Sequence, residues 1–142
     1  MRVNKGIWIC LRKQISLKAL KSQMKYHFEN LEIYKISVLL TKEVYKVSKK
    51  LPKHEEFVLK SQLLRAVTSI VLNISEGSGR RTVKEKINFV SIAIGSLQEV
   101  VSIIKLLVDL QELAITDIIE IERLEEMLYF KLIGFKKSLT AL

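Results

Sequence analysis

The sequence predicts an all-α protein, an antiparallel up-down bundle of four helices. Three observations lead there. The 142 residues include one proline and five glycines, too few breakers for many short strands and turns. Apolar residues make up 49% of the chain, enough for one sizeable core. They recur at three- and four-residue steps in four blocks with short breaks between them, so sequential helices are expected to pack antiparallel.

The first helix spans about Asn30 to Lys50, with Ile33, Ile36, Leu40, Val44, Val47 and Leu51 on one face. Pro52 ends it and suits the start of the next. The second spans about Lys53 to Glu76. Glu55 and Glu56 fall in its first turn, where carboxylates favour the positive end of the macrodipole. Gly77 follows as a C′ residue for which a left-handed turn costs nothing. The third helix starts at Thr82, where Thr82 and Glu85 make a capping box, and runs to about Leu110. The fourth starts near Thr116 and Asp117 and ends near Lys137. Its core face is Ile121, Leu124, Leu128, Leu132, Phe135 and Leu139.

The second helix carries a polar stripe opposite Leu63, Val67, Ile70 and Ile74. Arg65, Ser69, Asn73 and Glu76 fall in an arc about 80° wide. Two readings fit: a ligand or RNA site, or a hydrogen-bond network at a helix crossing or subunit interface. In the second, Arg65 pairs with Glu99 or Glu76, and Asn73 holds the Gly77 turn. On the third helix, apolar residues cover about 200°, where one core contact needs a stripe of about 100°. That excess predicts self-association, with Leu97 and Ile104 as positions facing a neighbour.

The net charge is +9, and six of the nine excess charges lie before Met24, in Arg2, Lys5, Arg12, Lys13, Lys18 and Lys21. Residues 1–23 are read as a basic, unstructured extension and residues 24–142 as the bundle domain. The apolar run Gly6-Ile7-Trp8-Ile9-Cys10-Leu11 is too short to span a membrane, and no small-residue cleavage site follows. It leaves open a basic amphipathic anchor, or an extension translated from an early start codon with Met24 as the start of the domain.

Cys10 is the single cysteine, so no internal disulfide forms and a reducing cytoplasm is the expected compartment. No Cys/His ligand spacing is present, so no metal or other cofactor is expected. The fourth-helix carboxylates Glu120, Glu122, Glu125 and Glu126 lack the Glu-x-x-His partners of di-iron bundles, and Cys10 has no base beside it. The expectation is a protein without enzymatic activity.

Basic residues offer a nucleic-acid surface. Lys35, Lys42, Lys46 and Lys49 fall within about 60° of one another, opposite the core face of the first helix, and Lys50 and Lys53 extend the row. Spaced lysines can track phosphates, although a solvated face looks the same in isolation. Arg80, Arg81 and Lys84 flank the Gly77-Ser78-Gly79 break. The spacing is not that of a P-loop, but free amides at the start of the third helix are able to hold a phosphate. Tyr26, Tyr34, Tyr45 and Tyr129 read as core or interface aromatics, and no aromatic series interleaves with the lysines, which disfavours base stacking.

Four segments carry a resemblance: FENLEIYK in the first helix, LPKHEEFVLKSQ across the first connection, RAVTSIVLNISEGSGRR, and FVSIAIGSLQEV in the third helix. The chain resembles the four-helix-bundle proteins encoded in bacterial 23S ribosomal RNA intervening sequences, from Phe28 to about Ser138. By position the motif residues are Pro52, Gln62, Arg65, Ala66, Ser69, Asn73, Glu76, Gly77, Arg80, Phe89, Ala93, Gly95, Ser96 and Glu99. Val71, Ser75 and Ile94 depart from the pattern, where proline, alanine and a basic residue are common. The resemblance implies a homopentameric ring with a basic surface, no enzymatic activity, and a nucleic-acid role. The expected partners are a second copy of the chain and RNA or DNA. The alternative is a protein-interaction scaffold for a nucleic-acid enzyme.

Overall fold

The computed structural model describes residues 26–55 and 58–141. The N-terminal extension 1–23, with Cys10 and its apolar run, lies outside the described residues, as does Glu56. Four helices follow one another: α1 (Glu32–Ser48), α2 (Leu59–Ser78), α3 (Val83–Asp109) and α4 (Ile115–Thr140). Short 3-10 turns at His27–Asn30 and Lys53–Glu55 precede α1 and α2. No strand is present among the described residues.

Each helix packs on its two neighbours in a closed square, α1 on α2, α2 on α3, α3 on α4 and α4 on α1. Pairings between helix ends give the directions. Lys50, just past the end of α1, pairs with Asp117 at the start of α4, while Glu32 at the start of α1 meets Lys131 late in α4 at 2.9 Å. α1 and α4 therefore run antiparallel, and so do α2 and α3, where Gln62 meets Glu99 and Ser69 meets Ser96. The six α1 positions expected in the core are all buried, and so are Leu63, Val67, Ile70 and Ile74 of α2. On α4, Ile121, Leu124, Leu128, Leu132 and Leu139 are buried and Phe135 packs against them.

The helix ends follow local chemistry. Thr82 Oγ1 accepts from the Glu85 amide at 3.2 Å and Glu85 accepts from the Thr82 amide at 3.3 Å, completing the expected capping box. The Thr82 hydroxyl also donates to the Glu85 carboxylate at 2.6 Å, and this bond first, then the Thr82 amide, hold the Glu85 carboxyl below its ordinary range. At α4 the Asp117 carboxylate accepts from the Ala114 amide at 3.2 Å. The α3–α4 turn relies on Gln111, whose φ of 60° is left-handed without a glycine.

Two expectations are corrected. The second helix begins at Leu59 and not near Lys53, because Lys53–Glu55 forms a separate 3-10 turn. Gly77 is a buried residue within α2 with no left-handed backbone. Its role is packing: a Cβ there would lie 2.8 Å from Phe89 Cβ of α3. The absent side chain lets the two helices approach at that level.

The wide apolar arc of α3 is mostly satisfied within one chain. Leu97 and Ile104 are each 1% exposed and belong to the core, not to a contact with a neighbour. Ile92, 43% exposed, is the residue of that arc left to solvent, and Leu106, also 43% exposed, lies just outside the arc on the polar side of the helix. By length and composition α3 is apolar enough to cross a membrane, yet here it supplies seven buried residues to the bundle.

Candidate functional site

The α1 lysine row forms as the sequence predicts. Lys35, Lys42, Lys46 and Lys49 are all exposed, because the core holds the opposite face of α1 through Leu40 and Val44. Lys35, Lys42 and Lys49 have no ion pair among the described residues. They follow one another at seven-residue steps, about 10 Å apart along the axis. Lys46 is paired with Glu43 at 3.3 Å. Lys50 is engaged by Asp117, and its ammonium holds that carboxyl below its ordinary value. Lys53 is exposed beside them.

Arg80, Arg81 and Lys84 lie at the opposite end of the bundle from Lys50 and Lys53. Around the α2–α3 turn, Gly77, Ser78 and Lys86 share a small cavity with His27, Phe135 and Leu139, whereas Lys50 sits by the start of α4. The basic candidates therefore form two regions. Arg80 is also committed to structure: it donates to Glu76 and lies over the Phe89 ring, 4.7 Å from its centroid. Phe89 is thus held between Gly77 and the guanidinium. Arg81 and Lys84 are exposed.

The polar stripe of α2 divides in two. One side bonds to α3: Ser69 and Ser96 hydroxyls are 2.8 Å apart, Gln62 Nε2 donates to Glu99 at 3.0 Å, and Asn73 Nδ2 donates back to the Ser69 carbonyl and hydroxyl at 2.8 and 3.0 Å. The network expected for Arg65 is therefore made by Gln62, and Asn73 braces Ser69 and not the Gly77 turn. The other side opens into a groove along α2 that reaches Tyr45 of α1. Arg65, Leu72, Asn73 and Glu76 line it, and Arg65 has no ion pair there among the described residues. Gly95 is exposed, and a side chain there would meet nothing within 4 Å.

Three of the four tyrosines lie outside the core of the single chain. Tyr26, Tyr45 and Tyr129 are exposed, and only Tyr34 is half-buried, edge-on to Phe28 with centroids 4.8 Å apart.

Sequence reasoning misses Glu125. Its spacing holds the signal, since it stands four residues after Ile121, three before Leu128 and seven before Leu132, all core positions. It is 6% exposed, in a groove between α3 and α4 lined by Leu97, Val101, Lys105, Glu122, Tyr129 and Phe130, among others. Burial, and then the nearby Glu122 charge, push its carboxyl up to about 7, against the pull of Lys105. The other buried polar side chains are satisfied: Ser37 and Ser48 donate to carbonyls one turn back. No group of three or more metal-ligating side chains occurs among the described residues.

Residues 29–133 match the family described as 23S rRNA-intervening sequence protein. A crystal structure at 1.70 Å of a protein of unknown function, from the S23 ribosomal protein family of Bacteroides thetaiotaomicron VPI-5482, has a similar fold. The TM-score is 0.68 at 24% identity, over 74% of this chain and 95% of that one. No curated protein matches the chain.

Proposed function

Because the chain belongs to the 23S rRNA-intervening sequence protein family, we propose that it acts without catalysis, as a cytoplasmic oligomer that binds structured RNA or DNA through basic helix faces. The observation that carries this reading is the row Lys35, Lys42 and Lys49, exposed along α1 with no ion pair among the described residues. Unpaired ammonium groups at regular spacing can displace counterions from a phosphate backbone, and that supplies affinity without reading bases. Assembly into a ring, with five copies as the expected number, would repeat the row and convert weak binding into avid binding. The exposed apolar side chains Leu72 on α2 and Ile119 on α4 support such assembly.

The test is filter binding to a structured RNA across a salt series. Changing Lys35, Lys42, Lys46 and Lys49 together to glutamine should leave the helix content unchanged. It should weaken binding and flatten the log–log salt dependence by roughly one unit for each phosphate no longer neutralised. Equal affinity and slope for the two proteins would sink the proposal. That result would favour the second reading, a protein-interaction scaffold partnering a nucleic-acid enzyme. The observation behind this alternative is the α4 surface, where Ile115, Ile119 and Phe130 are 69%, 61% and 64% exposed.

A further inference from the structure

Glu125 is the one buried ionisable side chain among the described residues, and its Oε1 meets no donor there. Held so far from water, its carboxyl either keeps its proton or ionises against a cation brought to it. The groove it faces is acidic, with Glu122 and Glu126 beside it on α4 against Lys105 on α3, and Tyr129 completes its titratable lining. Its walls are apolar and aromatic, from Leu97, Val101 and the Tyr129–Phe130 pair, whose rings meet edge-on at 5.7 Å. This is the complement of a guanidinium or ammonium carried among apolar side chains, since carboxylates bind the head and apolar and aromatic surface covers the stem.

The chain contains a segment of that chemistry outside the described residues. Residues 1–23 hold six basic side chains and no acid, arranged around Gly6-Ile7-Trp8-Ile9-Cys10-Leu11. The described chain opens at the right end of the bundle: His27 shares a cavity with Phe135 and Leu139 of α4. Glu125 lies about 15 Å back along α4 from Phe135 by helical rise. A segment of this length spans that distance without full extension. Tethering also gives it an effective concentration on the order of millimolar, which no free ligand matches easily.

We propose that the groove around Glu125 is the docking site for this chain's own basic N-terminal segment, with an arginine or lysine of the segment paired with Glu125 and the apolar run around Trp8 lying against Tyr129 and Phe130. The sequence supplies its own probe, because Trp8 is the single tryptophan. In the full chain, Trp8 emission should lie to the blue of free tryptophan and resist acrylamide quenching. Glu125→Gln removes the charge at nearly constant shape, and Phe130→Ala removes an exposed ring; neither should lower helix content. Each should move the emission to the red and raise the quenching constant several-fold. A Trp8 as quenchable as free tryptophan in the unmodified chain overturns the proposal. So does a shielded Trp8 that both variants leave unchanged, because the segment would then dock elsewhere.

Discussion

Glu125 makes stability fall as pH rises towards neutrality, in a direction opposite to the acid-side effect of the lowered Glu85 and Asp117 carboxyls. Its carboxyl sits at about 7 in the fold against an ordinary value of 4.5, so ionisation is easier in the unfolded chain. Below about 4.5 both states hold the proton and the residue adds no penalty. As pH rises through the window from 4.5 to 7, stability falls, and above 7 the loss levels off near about 3 kcal/mol. In a chain starting at Met24, Glu125→Gln should therefore stabilise the bundle by up to that amount at pH 8 and change little at pH 4.5, as read by urea denaturation. In the full chain the gain should shrink, because a docked cation already offsets the buried charge. A variant equally stabilising at both pH values would show that shape, not ionisation, decides this position. The same residue marks a limit of sequence reading. Its core spacing is visible, but the glutamate-rich neighbourhood of Glu120, Glu122 and Glu126 disguises it as one more solvated acid.

At the scale of elements, the apolar period locates all four helices, because each buries a single face against two neighbours. It also picks out the core residues of α1 almost without error. The start of α2 is misplaced by the sequence because Pro52 and the following acids imitate a helix N-terminus, whereas the residues that anchor α2 to the core begin at Leu59 and Leu63. Gly77 misleads for a related reason: a glycine near a helix end usually marks a left-handed turn, and only the position of Phe89 reveals close packing. The contact makes a sharp prediction. Gly77→Ala places a methyl 2.8 Å from Phe89 Cβ, an atom fixed to backbone that cannot rotate away. It should cost about 1–3 kcal/mol in thermal or chemical denaturation. Gly95→Ala, with nothing near its added methyl, should instead gain up to about 1 kcal/mol from helix propensity. If both variants behaved alike, the packing account of Gly77 would fail.

At the scale of the molecule, assembly cannot rest on the α3 core face. Leu97 and Ile104 hold the bundle together, so glutamate at either should unfold it before it disperses any oligomer. Leu72 and Ile119, at 59% and 61% exposure, are the better probes. Light scattering should give a mass several times the 16.4 kDa of one chain, five-fold being the expected multiple. Leu72→Glu or Ile119→Glu should lower that mass while circular dichroism stays constant. A monomer at micromolar concentration would remove the ring and the avidity it lends to the lysine row. The surfaces that decide this question are the least legible part of the sequence. An exposed apolar residue at helical spacing cannot be told from a core residue until the neighbouring helices are placed.

The α2–α3 pair has a consequence in time. The two helices are joined by the four residues between Ser78 and Val83 and share the most extensive packing in the bundle. Their links, Gly77 to Phe89, Ser69 to Ser96 and Gln62 to Glu99, all close within the middle of the chain. The Glu32–Lys131 pair must instead wait for both ends to meet. Loop closure is cheaper for the near pair, so folding should nucleate at this hairpin and spread outward, with α1 and α4 docking last. Gly77→Ala should then slow refolding in stopped-flow measurements and leave the unfolding rate nearly unchanged.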